Sequence, residues 1–211
     1  KQETSLQFDL GLEYTAEKVT FGLNAYSNRI YNYIYPGNFN NETIPFMDEG
    51  GLTTILPVYR FVQTNANLLG GEASVDFHLV KAIHFENTFS YVRGTNTAND
   101  MALPFIPAAS LNNELRFEPT IKGMHDSFFK IGLSNVFKQD RFDSFETQTD
   151  GYTLIDAGIG TAFKVKNSKV SVWITGQNLG DKLYYNHLSR YKPAGIYNQG
   201  RNLSFGVSVP L

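Results

Sequence analysis

The stretch Asn202-Leu203-Ser204-Phe205-Gly206-Val207-Ser208-Val209-Pro210-Leu211 decides the fold. Leu203, Phe205, Val207, Val209 and Leu211 fall on one side of an extended chain; Asn202, Ser204, Gly206 and Ser208 fall on the other. A period of two belongs to a β-strand, because a helix, advancing about 100° per residue, would scatter both sets around its axis. The opening segment repeats the pattern. Leu6, Phe8, Leu10, Leu12 and Tyr14 alternate with Gln7, Asp9, Gly11 and Glu13.

Working inward from these two ends, the alternation predicts nine strands, near 3–14, 19–35, 59–79, 83–94, 108–118, 127–139, 152–164, 169–178 and 200–211. Many exceed the roughly five or six residues usual in soluble proteins. A tilted membrane strand needs about 9 to 11 residues to cross the hydrocarbon, which these supply. The connections sort by parity. Residues 15–18, 80–82 and 164–168 are tight links and 119–126 a modest one, while 36–58, 95–107, 140–151 and 179–199 are long. Short and long alternate throughout, as expected of a transmembrane barrel with turns on its periplasmic rim and loops on the outer one. The expected fold is therefore all-β, a transmembrane antiparallel β-barrel.

Charge selects the face that meets lipid. Glu72, Ser74, Asp76 and His78 are interleaved with Ala73, Val75, Phe77 and Leu79, and an ionised carboxylate is costly in hydrocarbon. The polar set should thus face a wet lumen, as should Ser171, Trp173, Thr175 and Gln177 opposite Val170, Val172, Ile174 and Gly176. Gly70-Gly71, inside a strand, is expected to mark a bulge or bend in the wall. Tyr14, Tyr31, Tyr33, Tyr35, Tyr59, Tyr91, Tyr152, Tyr184 and Tyr185 gather near strand ends, where interfacial girdles sit.

Composition excludes several classes. A net charge of -2 gives no basic footprint for nucleic acid. With no cysteine there is neither a disulfide framework nor a thiolate metal site. No apolar run approaches the roughly 18 to 20 residues of a membrane helix. The four histidines, His78, His84, His125 and His187, lack metal-ligand spacing, and the acidic 140–151 loop, with Asp140, Asp143, Glu146 and Asp150, lacks that of an EF-hand. No nucleophile–base pair stands out, so no enzyme, no metal site and no cofactor are expected.

The C-terminal third carries motifs. Gly151-Tyr-Thr-Leu-Ile-Asp156 is followed by Gln177-Asn178-Leu179-Gly-Asp181-Lys182-Leu-Tyr184-Tyr185, then Gly200-Arg201-Asn202 and the closing strand. Together they resemble the last strands of the TonB-dependent outer-membrane receptor and transporter family. Asn24-Ala-Tyr26-x-x-Arg29-Ile30, Gly71-Glu72 and Leu103-Pro104-Phe105-Ile106-Pro107 resemble earlier parts of the same barrel. Leu211 departs from the aromatic that usually closes such barrels.

The resemblance implies a 22-stranded barrel with an N-terminal plug. Residues 1–211 would then be its C-terminal portion, strands 14 to 22. Plug, TonB box, early strands and export signal would lie upstream of residue 1. It further implies energised uptake of a scarce large solute, an iron–siderophore or similar metal chelate, across a bacterial outer membrane. Its partners would be lipid and lipopolysaccharide, the upstream plug and barrel segment, TonB through that plug, and the ligand; a surface lipoprotein is left open. The rival readings are a passive porin-type channel and a soluble β-sandwich that binds carbohydrate. Ligand contacts should come from long loops and the upper lumen. The candidates are Tyr35, Phe39 and Phe46 in the first loop, Arg141 and Phe145 in the third, and Arg190, Tyr191 and Tyr197 in the fourth. Aromatics with a few arginines suit an anionic, partly apolar chelate.

Overall fold

A computed structural model describes residues 1–38, 42–47, 49–51, 53–166 and 168–209. Phe39 and the terminal Pro210-Leu211 lie outside the described residues. The strands are β1 (Thr4–Ala16), β2 (Val19–Gly37), β3 (Thr43–Met47), β4 (Thr53–Pro57), β5 (Arg60–Val80), β6 (Ile83–Asn96), β7 (Met101–Ala102), β8 (Ser110–Phe117), β9 (His125–Val136), β10 (Tyr152–Val165), β11 (Ser168–Gln177) and β12 (Asn202–Ser208). The principal sheet runs β1-β2-β5-β6-β8-β9-β10-β11-β12. Each neighbouring pair is antiparallel. All nine strands expected from the alternation are present. Two short additions sit in the long connections: β7 pairs with β6, and β3 and β4 form a separate hairpin.

The register fixes the two faces. On one face a row runs through Thr20, Asp76, Glu86, Glu114 and Gly132 to Asp156. A cavity of about 360 Å³ opens on this side, bordered by Glu86, Asn112, Glu114, Lys130, Asp156 and Gln177. Its lining comes from five adjacent strands, so the polar face is the concave one. Lys130 Nζ donates to Glu114 Oε2 at 2.9 Å, pairing two of its charges. The other face is apolar and uncovered: Phe8, Leu10, Leu12, Phe77, Ile131, Ile159, Ile174, Phe205 and Val207 are all exposed.

A water-soluble chain could not sustain that arrangement. A globular protein of this mass, 23.7 kDa, would expose roughly 9,800 Å². This one exposes 14,414 Å². Its buried apolar residues among those described are Ile30, Ala66, Ala102, Leu103, Tyr152 and Ala162, too few for a folded core. Large contiguous apolar surface on a soluble monomer is an aggregation liability, whereas in a bilayer it is the solvated face. The strands also reach beyond what a membrane requires. β2 and β5, with 19 and 21 residues, continue past the hydrocarbon span as a two-stranded extension.

Glycines on the inner wall make room for aromatics on the neighbouring strand. A Cβ on Gly206 would lie 2.2 Å from the Trp173 ring, and one on Gly160 would lie 2.4 Å from the Phe128 ring. Gly70 does the same for Tyr26, again at 2.4 Å. This corrects the expectation of a bulge at Gly70-Gly71. The register is unbroken there, Tyr26 facing Gly70 and Gly70 facing Val92. Register shifts fall instead between Ile30 and Tyr33, His78 and Val80, and Gly160 and Ala162. Asn32, inside the first, takes φ 56°, a left-handed conformation that Asn tolerates better than most residues.

The tyrosines divide. Tyr14, Tyr31 and Tyr91 stand on the exposed outer face, as a girdle requires. Tyr33 stacks with Tyr35 and Tyr185 with Tyr197, while Tyr152 meets Tyr184 at a tilt of 37°, so those six serve loop packing.

Candidate ligand-binding site

The three long connections after β6, β9 and β11 fold toward one another above the polar wall. The first of these turns inward: Leu103, 1% exposed, packs with Ile30 and Ala66, backed by Tyr33, Leu68 and Ile106. Gly94 permits this, because a Cβ there would meet Ile106 at 2.5 Å. The connection after β11 is pinned at its root by Asn178, which is 3% exposed. Its Nδ2 donates to the Lys182 and Gln199 carbonyls, its Oδ1 accepts from Lys182 N, and its backbone N–H donates to Asp156 Oδ1 at 2.8 Å. Asp181 Oδ1 accepts from Arg201 N at 2.9 Å. The Asn178-Leu-Gly-Asp181-Lys182 motif is thus a loop anchor, satisfying backbone groups that the end of β11 leaves free.

Lys192, which opens the 3-10 turn Lys192–Ala194, ties this loop to the one after β9. Its Nζ donates to the Thr147 and Gln148 carbonyls and to Thr149 Oγ1, at 2.5, 2.9 and 2.6 Å. Thr149 also pairs with His187 Nδ1 at 2.8 Å. Glu146 lies beneath. Its carboxylate accepts from the backbone N–H groups of Phe105 and Asp143, both at 3.1 Å, so it ties its own loop, after β9, to the one after β6.

Burial sets the protonation of this cluster. It pushes the His187 pKa down to about 4, and the Lys192 charge adds to the effect. His187 Nε2 stands 3.5 Å from Glu146 Oε1, too far for a good hydrogen bond, and makes none among the described residues. Burial raises the Glu146 carboxyl, with the two backbone bonds pulling it back down. Burial also lowers the Lys192 ammonium, against the attraction of Glu146 and Asp150.

Over this cluster opens a cavity of about 410 Å³, bordered by Tyr59, Phe105, Phe145, His187, Arg190 and Lys192. Its aromatic side is built edge to face: the Tyr59 and Phe145 rings lie 5.2 Å apart at 73°, and Phe105 is 6.0 Å from Phe145. Arg190 is exposed and makes no hydrogen bond or ion pair among the described residues. Apolar rings beside an unpaired guanidinium can hold an anionic ligand with a flat or apolar body.

Of the residues expected to bind ligand, Phe145 and Arg190 line this cavity. Tyr35 sits next door, sharing a second cleft with Asp143 and Phe145. Arg141 is tied back to the wall, its Nη2 donating to Thr95 Oγ1 at 2.8 Å. Tyr191 is 66% exposed and does not border the cavity, and Tyr197 stacks on Tyr185 at 4.4 Å. Phe46 stands exposed on the β3–β4 hairpin. Phe105, Glu146, His187 and Lys192 were not expected there. Each is placed by contacts between loops some 40 residues apart in the chain, which periodicity does not encode.

The fold defines an outer-membrane β-barrel wall with a loop pocket on its long-loop rim. A family model described as TonB dependent receptor-like, beta-barrel, matches residues 1–179, and the chain belongs to that family. Three solved structures share the fold. The Copper transporter OprC aligns at 20% identity over 97% of this chain and 31% of that one, TM-score 0.78. A mutant of the ferric enterobactin receptor PfeA from Pseudomonas aeruginosa aligns at 20% identity over 98% and 31%, TM-score 0.65. The FrpB iron transporter from Neisseria meningitidis aligns at 13% identity over 98% and 31%, TM-score 0.67. The chain spans under a third of the length of each. Membership places it in the bacterial outer membrane, in a non-catalytic receptor family, and removes the soluble sandwich from consideration.

Proposed function

We propose that the chain is the C-terminal portion, strands 14 to 22, of a receptor that takes up a large metal chelate, an iron–siderophore complex, using TonB-transmitted energy. Plug and TonB contacts then belong to the preceding part of the protein. One observation carries the reading: a pocket of aromatic rings with the unpaired Arg190 stands at the long-loop rim, above a polar inner wall. Phe105, Phe145 and Tyr59 offer the apolar contact, while Arg190 offers charge to a ferric chelate's anionic oxygens. The three loops that form the pocket are cross-tied by Glu146 and Lys192, so a ligand meets a largely pre-formed surface.

The test is uptake of radiolabelled iron supplied as defined siderophores, in cells carrying the full-length protein, its deletion, or the Phe145→Ala and Arg190→Ala variants. Uptake of one chelate should depend on the protein, cease when an uncoupler collapses the proton-motive force, and fall at least tenfold in each variant. Uptake that persists with uncoupler would establish a passive channel instead.

A further inference from the structure

Two histidines near the turn end of the wall meet across a hairpin. His78 on β5 and His84 on β6 are direct cross-strand partners, their rings 4.6 Å apart at 77°. Asp76, two residues earlier on the same face of β5, places Oδ2 3.7 Å from His78 Nε2. One ligand atom from each of the three lies within 4.8 Å of the others. Glu118, from the β8–β9 connection, reaches the same side with Oε2 3.5 Å from His84 Nε2, while Arg116 holds its Oε1 at 2.6 Å. Asp76 Oδ1 is shielded from solvent yet accepts no hydrogen bond among the described residues. Such an orphan acceptor is rare unless something occupies it.

We propose that Asp76, His78 and His84 form a binding site for one divalent transition-metal ion, Zn²⁺ being the best match, at the turn end of the inner wall. Two imidazoles and a carboxylate are donors that suit zinc, copper or nickel and ill suit magnesium. Zinc–nitrogen and zinc–oxygen bonds of about 2.0 to 2.2 Å put tetrahedral ligand atoms about 3.3 to 3.6 Å apart. The Asp76–His78 pair is already close to that spacing, and the 4.8 Å set needs side-chain adjustments of about an ångström. The fourth position faces the lumen, where Glu118 or water can fill it. This site lies at the opposite end of the wall from the loop pocket and stands whatever ligand that pocket takes. An ion there would clip the β5–β6 hairpin against the neighbouring β8–β9 turn.

The experiment is calorimetric titration of the full-length, detergent-solubilised protein with zinc sulfate, after chelator treatment and dialysis. Wild type should show one saturable equivalent that magnesium does not displace. His78→Gln, His84→Gln and Asp76→Asn should each weaken it tenfold or more, while His125→Gln leaves it intact. Folding of each variant is checked by circular dichroism. A zinc-soaked crystal of the wild type supplies a second readout, an anomalous peak between the His78 and His84 rings. An unchanged isotherm in folded His78→Gln and His84→Gln protein, or a soaked crystal without that peak, overturns the proposal.

Discussion

Acidification should unlatch the third and fourth long loops, with His187 setting the pH. The side chain is 3% exposed, its pKa held at about 4, and its Nδ1 is engaged by Thr149. Once the loops separate, it regains an ordinary value near 6.5. Above about pH 6.5 both states leave His187 neutral, and docking has its full strength. Below that the undocked state takes up the proton first, so docking weakens by up to about 1.4 kcal/mol per pH unit until the folded value is reached. At pH 5 the loss is about 2 kcal/mol, an increase of about 30-fold in the open population. Glu146 works the other way. Burial raises its carboxyl, so the docked state binds that proton first and recovers part of the loss at the acid end of the window. Hydrogen exchange read by mass spectrometry on peptides covering 140–151 and 186–195, corrected for intrinsic rates, measures the open population at pH 7.5 and 5. His187→Gln keeps a partner for Thr149 but cannot titrate, and should lose the acid-induced opening. Equal protection of the wild type at both pH values, or the same opening in His187→Gln, would refute the reasoning.

Two further outcomes follow from the wall. Gly206→Ala puts a methyl group into the Trp173 ring and should cost about 1 to 3 kcal/mol in urea unfolding of the full-length barrel; adding Trp173→Ala should recover much of that loss, since the clash goes with the ring. Val172→Arg places a charge in the middle of the outward row Val170, Val172 and Ile174, and should cost about 2 to 4 kcal/mol in lipid, whereas Ser171→Arg, on the inner face, should cost far less; equal penalties would mean that the faces are wrongly assigned.

What the sequence made legible was whatever depends on near neighbours. The alternation in Leu203–Val209 and Leu6–Tyr14 places side chains on two faces directly, and links such as Val80-Lys-Ala82 leave no partner but the next strand. Boundaries followed to within a few residues, the largest departures being β9, expected at 127–139 and found at His125–Val136, and β12, expected at 200–211 and found at Asn202–Ser208. The β3–β4 hairpin was hidden because Pro45 and Pro57 argue against a strand, and only a two-stranded edge pairing tolerates them. Gly70-Gly71 was misread because glycine in a strand signals either a bulge or a close approach, and the deciding Tyr26 sits on another strand. The bulge at Asn32 carries no glycine or proline to betray it. At the loop rim, aromatic and arginine content pointed to Phe145 and Arg190. The cross-ties through Glu146, His187 and Lys192 could not be seen, since each joins residues far apart in the chain. The histidine pair shows the same limit at short range. A spacing of six suggests no ligand motif until the Lys81-Ala82 turn sets His78 opposite His84.

The central claim is that this sheet is a membrane wall, apolar outside and wet inside. The chain has no cysteine, so single cysteines can be placed at each position from Asn202 to Ser208 in the full-length protein and spin-labelled in lipid. Collision with oxygen, which concentrates in hydrocarbon, should peak at 203, 205 and 207, while collision with a water-soluble nickel chelate peaks at 202, 204, 206 and 208. The same period with the two relaxants exchanged, or no period of two at all, would contradict the account.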